Sequence, residues 1–239
     1  MYRNKFVIGI AFLLALVFGV QTEIFAIGKK KGAKFIVRIE NVSDNSGLEA
    51  KDGTKYPFAL SPGLFVLTKS KNDFFKTGKR ANAGLEAQAE DGNPEILAKS
   101  LLTKLGSVSL GIFNTPLGAN APAPILPGGA YEFEFEAFEG TKLNFAAMFG
   151  QSNDLFYAPL RSIDLFEKGE PLTGDITDKL MLWDAGTEIN QAPGIGADQG
   201  PRQKGPNTGA DENGVVSLVK DEFSYPNVKD VLKVTITRK

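Results

Sequence analysis

The sequence predicts an all-β protein, an antiparallel β-sandwich with one or two short helices inserted. Three observations carry this expectation. Short apolar runs recur between clusters of Gly, Pro and Asn. Residues 131 to 149 alternate between apolar and polar, the pattern of strands with one packed and one wet face. Only the stretch from Asn82 to Leu105 places its apolar residues at helical spacing. Several short strands with turn signals and few helices are the mark of a sandwich.

Lys34 to Val42 reads as a strand with Phe35, Val37 and Ile39 on one face and Ile36, Arg38 and Glu40 on the other. Pro57 to Thr68 is a second apolar run, interrupted by Ser61-Pro62-Gly63. Leu85, Ala89, Leu97, Leu101 and Leu105 mark the helical region, which Asp91-Gly92-Asn93-Pro94 divides into two short helices. Gly106 should end the second, with strands resuming near Ser107 to Phe113. Tyr131 to Phe149 reads as a hairpin turning at Glu139-Gly140, with Glu132, Glu134 and Glu136 alternating with Phe133 and Phe135. Those glutamates are first of all a solvated strand face. Further strands are expected at Leu155 to Ala158, Leu180 to Trp183, Val215 to Val219 and Val231 to Thr237. Gln191 to Gly214, rich in Gly and Pro, is a long loop of the kind that is either functional or disordered. No internal repeat suggests a solenoid or propeller.

The N-terminus reads as a signal peptide. Arg3 and Lys5 form a basic region, Phe6 to Val20 an uncharged apolar one, and Ala26 a small residue for cleavage. The apolar stretch falls short of the roughly 20 residues that a spanning helix needs. The expected organisation is residues 1–26 as signal peptide, 27–33 as a basic tail, and 34–239 as one β-sandwich domain, secreted or periplasmic, with no membrane span after cleavage. Nothing points to nucleic acid: the net charge is −1 and no basic stripe appears beyond Lys29 to Lys31.

Composition narrows the chemistry. With 0 His and 0 Cys, neither a Ser-His-Asp triad, a cysteine nucleophile, a disulfide nor a zinc site of imidazole and thiolate can be built. The remaining ligands are hard oxygens, suited to calcium, magnesium or manganese. Two places concentrate them where apolar runs give way to turn chemistry: Gln151-Ser152-Asn153-Asp154 and Asp184-Ala185-Gly186-Thr187-Glu188. Gly186 allows the backbone between Asp184 and Glu188 to curl so that both acids face one ion. The ordinary alternative is that Asp154 and Asp184 each cap a turn and Glu188 is simply exposed.

These segments resemble the spondin N-terminal domain family, the domain of F-spondin and mindin, in its bacterial secreted form. The resemblance is carried by Ser152-Asn153-Asp154-Leu155-Phe156, Leu182-Trp183-Asp184-Ala185-Gly186-Thr187-Glu188, Gly200-Pro201-Arg202-Gln203, and Gly84-Leu85-Glu86-Ala87 to Glu90-Asp91-Gly92. It covers most of Phe35 to Arg238. It implies a C2-like antiparallel sandwich with one calcium ion held in loops at one end. Asp154, Asp184 and Glu188 fall at the family's metal-ligand positions, and Glu136 is a further candidate if a bulge or altered pairing brings it near. The chain departs from the animal pattern at Leu155, where the family has tryptophan, at Glu188, where it has aspartate, and in lacking cysteine.

Three classes of function are compatible with these residues. The leading one is a secreted, non-catalytic calcium-binding module for extracellular binding or adhesion, its partner a protein, glycan or other surface ligand. The second is a glycoside hydrolase using two acids among Glu134, Glu136, Asp154 and Asp184, which needs the pair about 5 to 10 Å apart. The third is a structural envelope or matrix protein whose ion serves folding alone.

Overall fold

A computed structural model describes residues 32–69, 74–105 and 109–239. The signal peptide, most of the basic tail and the expected helix stop at Gly106 lie outside the described residues. In chain order the first strands are β1 (Gly32–Asn41), β2 (Leu48–Glu49), β3 (Lys55–Tyr56) and β4 (Leu60–Thr68). Helices α1 (Ala83–Glu90) and α2 (Pro94–Leu105) precede β5 (Ser109–Phe113), β6 (Ala130–Phe138), β7 (Lys142–Phe149) and β8 (Leu155–Pro159). Four two-residue strands follow: β9 (Ile163–Asp164), β10 (Phe166–Glu167), β11 (Glu170–Pro171) and β12 (Gly174–Asp175). The chain ends with β13 (Leu180–Asp184), β14 (Ser217–Leu218), the one-turn helix α3 (Val228–Val231) and β15 (Leu232–Arg238).

Two antiparallel sheets form the sandwich. The first has the order β12-β15-β1-β6; the second runs β14-β13-β8-β7-β4-β5, with β9 beside β7. β1 buries Phe35, Val37 and Ile39 as its alternation requires, and β6 buries Tyr131, Phe133 and Phe135 from the same side. They meet the inner face of the second sheet, where Phe65 stacks on Phe133 at 4.4 Å between ring centroids. The strands of the second sheet do not alternate: β8 is buried throughout and β7 nearly so. Both its faces are covered, because α1 and α2 lay Leu85, Ala89, Leu97 and Leu101 over Leu64, Val66, Ala146, Phe156 and Trp183 on the outer side. A strand covered on both faces loses the period-two signal.

The helical expectation holds. The Asn82 side chain caps α1 by accepting from Gly84 N (2.9 Å) and Leu85 N (3.1 Å), Gly92 turns the chain at φ +61°, and Pro94 opens α2. The Ser61-Pro62-Gly63 interruption is a register shift in the β4–β7 ladder between Leu60 and Gly63.

The hairpin expected at residues 131–149 is not formed. β6 pairs with β1 and β7 pairs with β4, so the turn after Phe138 carries the chain from one sheet to the other. β6 lies beside β1 at the edge of the first sheet, and β7 sits between β4 and β8 in the second. The strand expected at 215–219 shrinks to Ser217–Leu218.

Candidate metal centre

Between β7 and β8 the chain turns through Gln151, Ser152, Asn153 and Asp154, all buried. The Ser152 hydroxyl holds this turn, donating to Phe149 O (2.6 Å) and accepting from Leu155 N (3.1 Å). Asp154 therefore stands at the start of β8. Asp184 ends the antiparallel neighbour β13, opposite Leu155 in the ladder, so the two acids share one end of the sheet.

The loop after β13 folds back over Asp154. Gly186, at φ +68°, donates its N–H to Asp184 Oδ1 at 2.7 Å. A Cβ at Gly186 would lie 2.6 Å from Val215 N, so a glycine is needed both for its left-handed backbone and for the close approach. Asn190 Nδ2 donates to Asp184 Oδ2 (2.7 Å). Asp154 Oδ2 accepts from Thr187 N (2.7 Å), Thr187 Oγ1 (3.1 Å) and Glu188 N (3.1 Å). Its other oxygen, Oδ1, is buried with no hydrogen-bond partner.

A third strand of chain closes the site. Ile189 N donates to Ala210 O (2.8 Å), Glu212 N to Thr187 O (2.9 Å) and Gly214 N to Gly186 O (2.8 Å), a short antiparallel zipper. It delivers Glu212. One carboxylate oxygen each from Asp154, Asp184 and Glu212 lies within 4.8 Å of the others, Glu212 being the exposed member. Among the described residues none of the three forms an ion pair with Lys or Arg. Burial, and then the charge of Asp184, pushes the Asp154 carboxyl up to about 7. Burial also raises Asp184, and it raises Glu212 together with the charges of Asp184 and Asp221. Three crowded carboxylates, one of which also has a buried oxygen without a donor, are the chemistry that a divalent cation satisfies.

Asp154 and Asp184 are thus brought together as expected, but the other two candidates are not. Glu188 is buried (1 % exposed) and turned away from the cluster: it accepts from Gly209 N (2.9 Å) and Asn153 Nδ2 (3.3 Å). A Cβ at Gly209 would sit 2.1 Å from Glu188 Oε2, so a larger residue there would have to displace the carboxylate. Glu188 anchors the glycine-rich segment rather than joining the three oxygens. Glu136 lies on the exposed outer face of the first sheet, opposite Lys34, because β6 belongs to that sheet and not to a hairpin with β7. Glu134, on the same face, pairs with Lys239 (2.7 Å). No pairing of Glu134 or Glu136 with Asp154 or Asp184 across one cleft arises from this arrangement.

Two acids were not anticipated. Glu212 lies in the glycine-rich loop, where no spacing rule marks it. Glu90, at the end of α1, is buried (1 % exposed) with Oε2 unpartnered, and burial pushes its carboxyl up to about 8. Its only sequence signal was its place in the Glu90-Asp91-Gly92 stretch.

The long loop is not structureless. Gln199, fully buried, donates to Gln191 O (3.1 Å) and Ala192 O (2.9 Å) and accepts from Gly194 N (3.0 Å). Arg202 bonds Gly196 O (2.7 Å), Gln151 Oε1 (3.1 Å) and Gln199 Oε1 (2.5 Å). The loop is held by side chains where no ladder exists. Among the described residues no helix is long and apolar enough to cross a membrane.

No protein-family model matches the chain, and no match is found among the curated proteins.

Proposed function

We propose that this chain is a secreted, non-catalytic binding module of the spondin type. In this reading Asp154, Asp184 and Glu212 hold one calcium ion at the end of the second sheet. The observation that carries it is the fully buried Asp154, whose Oδ1 has no hydrogen-bond partner and which gathers with two further carboxylates within 4.8 Å. Calcium suits the donor set: carboxylate oxygens, backbone carbonyls and water at about 2.3 to 2.6 Å. The exposed position of Glu212 leaves room on the ion for water or for an oxygen of a partner. The ion would pin three segments against one another: the turn before β8, the loop after β13 and the glycine-rich segment. A loop end stiffened in this way presents a fixed surface to an extracellular protein, glycan or other surface ligand.

Melting the purified protein with calcium, with magnesium and with chelator tests the reading. A site filled at a hundred times its dissociation constant adds about 2.7 kcal/mol of stability. A raised midpoint in calcium alone supports the proposal; three superimposable curves would contradict it.

A further inference from the structure

Each of the two large sheets ends in two outer strands, and β5 differs from the other three. β12 and β14 are two residues long, too short to template another strand. β6 is long but carries Glu132, Glu134 and Glu136 at alternate positions, and charge of this kind keeps edges apart. β5 is Ser-Leu-Gly-Ile-Phe, with neither charge nor proline. It pairs with β4 alone, and among the described residues no hydrogen bond reaches its backbone from elsewhere. Alternate N–H and C=O groups of β5 point away from the sheet without a protein partner.

The uncharged character extends past the strand. From residue 105 to residue 131 the sequence contains no Lys, Arg, Asp or Glu, in a chain where 23% of residues are charged. Ile125 continues the same edge, bridging Leu60 of β4 beyond the Gly63↔Phe113 pair. Ile112 on the strand, Leu117 in the loop that follows and Leu126 next to the bridge are 37 %, 48 % and 51 % exposed. An unguarded strand set among exposed apolar side chains is the kind of surface that another strand covers.

We propose that β5 pairs with β5 of a second copy of this chain, antiparallel about a two-fold axis at Gly111, joining the two second sheets edge to edge. The strand is its own complement in this register. Leu110, packed with the outer side of the sheet, falls opposite Ile112 of the second copy, and Ser109 falls opposite Phe113 on the inner side. β6 has no such complement: an axis at Glu134 sets that residue against itself and Glu132 against Glu136. Gly111 suits the centre, since its inner side is already covered by the Phe65 ring, which a Cβ there would meet at 2.6 Å. Pairing satisfies the outward backbone groups and covers Ile112 without burying a charge. The inference is independent of the cation reading, since β7 and β4 separate β5 from the strands β8 and β13 beside the carboxylate cluster.

Sedimentation of the purified protein in chelator over a range of concentrations tests this, together with amide hydrogen exchange. A reversible monomer–dimer equilibrium is expected, and the outward amides among residues 109–113 should exchange more slowly as the dimer fills. Ile112→Lys, at an exposed position, sets a charge in the seam twice over and should weaken association about a hundredfold. Ser109→Lys, also exposed, should do the same, while Glu134→Gln on β6 should leave association unchanged. Circular dichroism melts establish that each variant is folded. A protein that stays monomeric up to about 1 mM, a dimer that survives both lysine substitutions, or a dimer with no added protection in β5 would overturn the proposal.

Discussion

Thr187 grips Asp154 twice, through its backbone N–H at 2.7 Å and its hydroxyl at 3.1 Å, both on Oδ2. Glu188 N adds a third bond to the same oxygen, and the other is left buried and bare. The loop after β13 therefore fixes the orientation of the Asp154 carboxylate, which lies in one cluster with Asp184 and Glu212.

Asp154→Asn keeps an oxygen for Thr187 and removes the charge. The calcium-dependent rise in melting temperature should vanish, while in chelator the variant should be as stable as the parent or more so. Paired thermal melts, with calcium and with chelator, check both halves.

Acidity should matter in chelator. The folded carboxyls of Asp154 and Glu90 lie at about 7 and about 8, both raised first by burial, against roughly 4 in the unfolded chain. The folded state then holds more protons than the unfolded state between these values, so the favourable contribution is complete below about 4 and is lost as pH rises through 7 and 8. Without calcium, midpoints should fall steadily from about pH 5.5 to about pH 8.5. Calcium should flatten that slope, since it occupies the site that protons would otherwise neutralise. Glu90→Gln should remove part of the slope in chelator.

Glu212 and Glu188 should separate binding from folding. Glu212→Gln, at an exposed position, should weaken calcium affinity and leave the chelator midpoint nearly unchanged. Glu188→Gln disturbs the buried acceptor of Gly209 N and Asn153 Nδ2, so it should cost about 1 to 3 kcal/mol in chelator. Calorimetric calcium titration together with urea unfolding distinguishes them.

The sequence pattern was most legible where one face of an element is wet. Phe35, Val37 and Ile39 alternate because the outer face of β1 meets solvent, and the two helices announced themselves through Asn82, Gly92 and Pro94. It was least legible where pairing is long-range. Nothing local says that β6 belongs beside β1 and not β7, and the covered outer face of the second sheet erased the alternation that would have flagged a third layer. The candidate site divides in the same way. Asp154 and Asp184 sit at strand ends whose turn chemistry is local, and they were found. Glu188 stood at the right spacing, yet its side chain turns to Gly209. Glu212 reaches the cluster only through the zipper between residues 186–189 and 210–214, a tertiary contact that composition does not encode.

Tyr157 offers an independent check on the core. Its ring is packed beside Phe58 and Phe149, and its hydroxyl is buried with no partner, while burial drives its ionisation well above the ordinary range. Tyr157→Phe should leave stability unchanged or raise it by about 1 kcal/mol, read from the denaturation midpoint. A large loss would mean that the hydroxyl has a partner.

The most direct measurement of the central claim is a crystal structure of the protein grown in calcium. The account predicts one ion bonded to oxygens of Asp154, Asp184 and Glu212 at about 2.3 to 2.6 Å, with Glu188 still turned to Gly209. Calcium-saturated crystals in which only water lies between those three carboxylates would contradict it.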